Sequence, residues 1–132
     1  MNVVLDTNVL ISATLWKGSE AQKLIIKLSE PKFKLFTSKD ILSEYERVLI
    51  RDFSHSDELA RFKAEKLANI FTLVNPSRKI AAVTEDPTDN KIIECAVESS
   101  SDCIVTYDKH LLKLKKFEKI KIVTPKEMMR II

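Results

Sequence analysis

Short apolar runs alternate along the chain with longer stretches in which apolar residues recur at helical spacing. The apolar runs are short and rich in Val, Ile, Leu or Phe, which is typical of strands covered on both faces of a sheet. They predict five strands, at residues 2–6, 34–37, 71–74, 103–107 and 121–124. We expect these strands to form the centre of the fold.

Helix-start signals and helical periodicity occupy the segments between the predicted strands. Ser19-Glu20-Ala21-Gln22 is a capping box, and apolar side chains follow it at helical spacing. Further helices are predicted to begin at Ser38, Ser56, Asp86-Pro87 and Pro125. The apolar positions of the helix after Ser56 are Leu59, Phe62, Leu67 and Ile70. This alternation predicts one α/β domain over residues 1–132, a sandwich with a mainly parallel sheet.

Composition narrows the possible functions only slightly. The 132 residues are 45% hydrophobic and 31% charged, as in ordinary globular domains, and the formal charge of +3 permits a nucleic-acid partner without requiring one. The single glycine, Gly18, excludes the dinucleotide fingerprint and the Walker loop, because both need several glycines. We find no signal peptide and no apolar run of membrane-spanning length, so we expect a cytoplasmic protein without membrane contact.

Acidic residues stand at the ends of two predicted strands and at the start of one helix. Asp6 ends the first strand, Asp108 follows the fourth, and Asp86 and Asp89 begin the helix at Pro87. Each of them alone can be explained as a helix cap. However, ligands of parallel α/β sheets bind at the carboxyl ends of the strands, where the strand order reverses. If the first and fourth strands are neighbours, the clustered carboxylates require a cation, and oxygen ligands favour Mg²⁺ or Mn²⁺.

Three segments carry a family resemblance through their order and spacing: LDTNVL at 5–10, DPTDNKIIECA at 86–96 and IVTYDKHLL at 104–112. With them the whole chain resembles the PIN-domain ribonucleases, the metal-dependent family that supplies the toxins of VapBC-type toxin–antitoxin pairs. The resemblance implies a three-layer α/β/α sandwich with the first and fourth strands at its centre. It also implies an acidic site formed by Asp6, Glu44, Asp89 and Asp108 that holds one or two Mg²⁺ or Mn²⁺ ions. The implied partners are an RNA substrate, a second copy in a homodimer and a small antitoxin.

Glu44 is chosen by the resemblance and not by its spacing. Glu44 and Glu46 lie at opposite edges of the apolar stripe of their helix, so periodicity leaves both open, together with an ordinary solvated glutamate. The family pattern places an acid just before Tyr45 and the apolar pair Val48-Leu49, which favours Glu44.

Several neighbouring residues have candidate supporting roles. Asn8 and Thr106 are short polar residues beside the strand-end aspartates, suited to hydrogen bonds that orient carboxylates. Asp86 is interpreted first as a helix cap and second as part of an acidic rim. Tyr107 replaces the small residue of many relatives, and it either stacks on a base, narrows the entrance or packs away from the site. Trp16 is expected in the core, with a contact to an antitoxin as the alternative.

The predicted reaction is hydrolysis of RNA phosphodiester bonds by a metal-activated water, leaving a 5′-phosphate and a 3′-hydroxyl. Residues 109–130 contain eight Lys or Arg against two acids, which either contact phosphates or form a solvated surface. Two alternatives remain open: an RNA-processing PIN nuclease without an antitoxin, and a non-catalytic PIN-like module that binds RNA or protein. A phosphoryl-accepting domain is disfavoured because no acidic doublet accompanies Asp6.

Overall fold

The computed structural model describes residues 1–132 and contains one six-stranded sheet, in the order β3-β2-β1-β4-β6-β5. The strands are β1 (Asn2–Leu5), β2 (Lys34–Ser38), β3 (Thr72–Val74), β4 (Cys103–Val105), β5 (Lys116–Phe117) and β6 (Ile120–Val123). All neighbouring strands are parallel except the pair β5 and β6. The predicted α/β fold with a mainly parallel sheet is therefore confirmed.

Seven helices connect or flank the strands. They are α1 (Thr7–Leu15), α2 (Glu20–Leu28), α3 (Lys39–Phe53), α4 (Asp57–Ala68), α5 (Asn90–Glu98), α6 (Lys109–Leu112) and α7 (Pro125–Ile131). A 3₁₀ turn at Pro87–Asp89 leads into α5. None of these helices combines the length and the apolar character that crossing a membrane would require.

The prediction of five strands is wrong by one short edge strand. Residues Lys116–Phe117 form β5, which runs antiparallel to β6 and is followed by Glu118 in a left-handed conformation, with φ of 54°. Two residues are too few to show an alternating pattern, and the turn lacks the glycine or asparagine that usually marks such a hairpin. The extra strand lies at the edge of the sheet, away from its centre.

The centre of the sheet is apolar because it is covered on both faces. Residues Val3 to Leu5 of β1 and Cys103 to Val105 of β4 are all buried. Both cysteines are free and buried, as the apolar neighbours indicate. Burial raises the pKa of the Cys95 thiol to about 12, so it has the character of an inert core residue.

Side-chain caps fix most of the helix starts. The Ser19 hydroxyl accepts a hydrogen bond from the Gln22 amide (3.1 Å), and Ser38 and Ser56 cap α3 and α4 in the same way. A complete capping box at Thr124 begins α7. These starts agree with the sequence prediction, because caps depend on neighbouring residues alone.

The buried face of α4 differs from the predicted one. Its buried residues are Ala60, Ala64 and Leu67. Leu59, Phe62 and Ile70, which the periodicity places on the apolar face, are exposed. Helix α4 packs against α3, and the large apolar side chains of Leu59 and Phe62 are left on the outside.

The order of strands reverses between β1 and β4. β1 is followed by β2 on one side, whereas the chain returns from β3 to place β4 on the other side of β1. The backbone continues this pairing beyond the strands, because the Asp6 amide donates to the Val105 carbonyl oxygen (2.9 Å). The exits of β1 and β4 therefore lie side by side.

Candidate active site

A cavity of about 530 Å³ opens at the carboxyl ends of β1 and β4. All four acidic residues implied by the family resemblance line it: Asp6, Glu44, Asp89 and Asp108. Asp86 belongs to the same wall. Glu46, the alternative to Glu44, is not part of this wall.

Asp6 is both a helix cap and a buried member of the cavity wall. It is 5% exposed; one carboxylate oxygen accepts from the Thr7 amide (2.7 Å) and the other from the Thr106 hydroxyl (2.5 Å). Burial, with smaller effects of the Asp108 and Asp86 charges, raises the pKa of Asp6 to about 6 against the lowering effect of these hydrogen bonds. The capping interpretation and the site interpretation therefore describe the same carboxylate.

Thr106 connects the two strand-end aspartates. Its hydroxyl donates to Asp6, and the same oxygen accepts from the Asp108 amide (2.9 Å). Asn8 has a different contact, since its side-chain oxygen accepts from the Tyr107 amide (3.3 Å). Thr106 thus orients a carboxylate directly, whereas Asn8 holds the backbone between Thr106 and Asp108.

Three carboxylates form the tightest acidic cluster of the molecule. One oxygen from each of Asp86, Asp89 and Asp108 lies within 4.8 Å of the others. Asp108 also caps α6 through hydrogen bonds from the His110 (2.7 Å) and Leu111 amides, and Asp86 accepts from the amide and the hydroxyl of Thr88. Asp86 therefore has the capping contact that its sequence position predicts, together with a place in the cluster.

Asp89 carries the most unusual oxygen of the site. The residue is 7% exposed, and its Oδ2 atom is buried without a hydrogen-bond partner. Burial raises its pKa to about 8, and the proximity of Asp108 and then of Asp6 adds to the effect. A buried oxygen with no donor, surrounded by further carboxylates, fits a bound cation. A set of oxygen donors alone fits Mg²⁺ or Mn²⁺.

Two cationic side chains enter the same cavity and were not predicted. The Arg47 guanidinium donates to one carboxylate oxygen of Glu44 through Nε (3.1 Å) and Nη2 (2.6 Å). Lys91 Nζ lies 3.9 Å from Asp40 and 3.8 Å from Glu94. The three-residue spacing of Glu44 and Arg47 is a signal for their pairing, but the direction in which the pair points depends on tertiary packing.

The aromatic residues near the site are placed differently from the prediction. Trp16 is 50% exposed in the cavity wall, so its expected place in the core is wrong. Its ring makes an edge contact with Phe53, with ring centroids 5.5 Å apart. Tyr107 is exposed outside this wall and lies beside Ser12 of α1.

The chain is similar to known proteins in both sequence and fold. Residues 2–110 match the sequence model of the family described as PIN domain. The uncharacterized protein MJ1680 of Methanocaldococcus jannaschii is 31% identical over 139 aligned residues, which cover 96% of this chain and 88% of that protein.

Two solved structures share the fold at low sequence identity. VapBC2 from Rickettsia felis, bound to a DNA fragment from its promoter, gives a TM-score of 0.67 at 15% identity, covering 92% of this chain and 97% of that chain. VapBC-1 from nontypeable Haemophilus influenzae gives a TM-score of 0.70 at 15% identity, with coverage of 96% and 99%.

Proposed function

Because this chain belongs to the PIN-domain family, we propose that it is a Mg²⁺- or Mn²⁺-dependent ribonuclease and the toxin of a toxin–antitoxin pair. The observation that carries the proposal is the buried, unpartnered Oδ2 of Asp89 within a cluster of carboxylates. Structural caps have no need of such an atom, whereas a metal-dependent hydrolase does. The pKa of Asp89 is raised to about 8, so its ionised carboxylate is unfavourable there without a positive charge beside it.

Four carboxylates would hold the metal: Asp6, Asp89 and Asp108, with Glu44 as a further ligand. A bound Mg²⁺ or Mn²⁺ would lower the pKa of a coordinated water and offset the charge that develops on the attacked phosphate. Asp108 uses one oxygen to cap α6, which leaves the other for the site. Asp86 would contribute to the acidic rim beside these ligands.

The protein contributes orientation. Thr106 and the Thr7 amide hold both oxygens of Asp6, so its carboxylate cannot rotate away from the cavity. Arg47, one turn further along α3, donates to one carboxylate oxygen of Glu44 and restrains that side chain at the cavity. Ligands fixed in advance lose little entropy when a cation and a phosphate bind between them.

Two observations support protein partners. The two solved structures compared above are of VapBC proteins, which supports an antitoxin as partner. The exposed Leu59 and Phe62 on α4 supply apolar surface for a homodimer. Neutralisation of the nuclease by a small protein encoded directly upstream would distinguish a toxin from an RNA-processing enzyme without antitoxin.

Cleavage of single-stranded RNA tests the reaction itself. We expect end-labelled oligonucleotides to be cut with Mn²⁺ or Mg²⁺ and to remain intact in EDTA. Because water is the nucleophile, the products should carry a 5′-phosphate and a 3′-hydroxyl. Products that end in a 2′,3′-cyclic phosphate would contradict the mechanism, and metal-independent binding without cleavage would favour the non-catalytic module.

The basic surface after Asp108 should contribute to RNA binding according to its position. Lys109 is exposed and follows Asp108 directly, at the carboxyl end of β4. Lys119 is exposed in the same basic segment but precedes β6, at the amino ends of the strands. Since each phosphate contact releases a counterion, Lys109→Ala should weaken binding and reduce the slope of log K against log salt by about 0.7. Lys119→Ala is the matched control, and equal effects of the two changes would exclude a directed contact.

A further inference from the structure

We propose that Trp16 forms a stacking subsite for an unpaired RNA base a few nucleotides from the scissile phosphate. The inference rests on the ribonuclease function proposed above and specifies its substrate as single-stranded RNA. It starts from the position of Trp16, a flat aromatic side chain that lines the same cavity as the acidic cluster.

Helix α1 connects the acidic cluster to this subsite. Asp6 is the N-cap of the helix and Trp16 is its C-cap. Nine residues at a rise of about 1.5 Å each separate the two ends by roughly 14 Å. Both side chains nevertheless line the same cavity. A strand of RNA cut at the acidic end would therefore extend past the indole.

The indole is held in place and yet has a free face. The Trp16 and Phe53 rings meet at 76°, in an edge contact that covers at most one face of the indole. This contact restricts the rotation of the indole, so that stacking on it costs little further entropy. With 50% of Trp16 exposed, a planar ring of the size of a base can reach it.

The surroundings fit a nucleotide better than an apolar protein segment. Of the 18 residues that line the cavity, six are hydrophobic and most of the others are polar or charged, with Arg47 and Lys91 as the two cationic side chains. A nucleotide presents an apolar ring face and polar edges, which match an aromatic ring in a mainly polar wall, and an anionic phosphate that Arg47 or Lys91 can contact. A base in a duplex has no free face, so the subsite selects unpaired RNA.

Cleavage kinetics on single-stranded RNA provide the first test. Trp16→Ala should raise KM by about tenfold or more, because a base loses its stacking partner, and Trp16→Phe should restore most of the affinity. Ile26→Ala is the control, since Ile26 is an exposed apolar residue on α2 outside the cavity. An unchanged KM in Trp16→Ala, with metal-dependent cleavage intact, would overturn the inference and leave the proposed function standing.

Fluorescence provides a readout that is independent of catalysis. Trp16 is the only tryptophan of the chain, so its emission reports on this site alone. In the Asp6→Asn protein, single-stranded RNA should quench the emission, whereas the same sequence as a duplex or with abasic positions should not. If no RNA is cut by the wild type, the proposed function fails, and this titration still decides the subsite.

The competing occupant of the same surface is another protein chain. Sedimentation of wild type and Trp16→Ala measures this alternative directly. A change in oligomeric state in Trp16→Ala, without quenching by single-stranded RNA, would assign Trp16 to a protein interface and overturn the inference.

Discussion

Asp6→Asn should reduce metal-dependent RNA cleavage by about 100-fold or more, because it removes a buried negative charge from the proposed metal ligands. The same change should leave the fold intact. The asparagine oxygen can accept from the Thr7 amide as before, and its amide group can donate to the Thr106 oxygen, which in the wild type donates to Asp6. Shape and capping are preserved while one charge is lost.

The measurement is kcat/KM on single-stranded RNA, together with circular dichroism and a thermal melt of each protein. Asp102→Asn is the matched control. Asp102 precedes β4 at the amino ends of the strands, away from the cavity, and its carboxylate accepts from the Asn2 amide (2.9 Å). The control should keep the activity of the wild type. More than a tenth of the activity in folded Asp6→Asn would show that Asp6 is only a cap.

The sequence made part of this site predictable because strand exits are local features. Uninterrupted apolar runs marked β1 and β4 as strands buried on both faces, and each run ends at or just before an aspartate. The parallel register places Leu5 opposite Val105, so that the following residues meet. The strand order thus brings the ends of β1 and β4 together in one site. The hydrogen bond between Thr106 and Asp6 joins residues that are 100 positions apart in the sequence.

Other features of the site depend on the directions in which side chains point, which the sequence alone does not reveal. Asp86 satisfies every criterion of a cap, and only tertiary structure shows that its carboxylate also faces Asp89 and Asp108. Arg47 and Lys91 have long side chains whose ends are placed by the packing of α3 against α5. Trp16 stands at a helix end, where periodicity no longer predicts which side is buried.

The misjudged face of α4 has a similar origin. Hydrophobicity favoured Leu59 and Phe62 over Ala60 and Ala64, but the small residues are the buried ones. Burial follows shape as well as polarity, and hydrophobic periodicity measures only polarity. Large apolar residues outside such a contact are therefore informative, because they mark surface that remains available to a partner.

The stability of the metal-free protein should fall as pH rises from about 4 to about 8. The pKa of Asp6 is raised from 3.8 to about 6 and that of Asp89 from 3.8 to about 8. Over this range the unfolded chain has released protons that the folded chain still binds, so unfolding becomes more favourable with increasing pH. The shift of Asp6 alone corresponds to roughly 3 kcal/mol. Glu127 acts in the opposite direction, but its pKa is lowered from 4.5, so its effect is confined to the acidic end of this range.

Thermal melts in EDTA at pH 5 and pH 8.5 would measure this loss in the wild type and in Asp89→Asn. Since the asparagine side chain has no proton to release, the variant should be the more stable protein at pH 8.5, with a melting temperature several degrees higher. Asp102→Asn changes the same charge outside the cluster and should melt like the wild type. A wild type that is equally stable at both pH values would contradict the burial of charge at Asp89.

Magnesium should reverse the loss in the wild type and not in Asp89→Asn. A cation that binds only the folded state stabilises it by about 2.7 kcal/mol at 100 times its Kd, and the negative charge that destabilises the metal-free site at pH 8.5 is the charge that attracts the cation. The wild type should therefore be less stable than the variant in EDTA and regain stability with Mg²⁺. Stabilisation of both proteins to the same extent would place the ion elsewhere, and would separate the acidic cluster from the metal chemistry proposed for it.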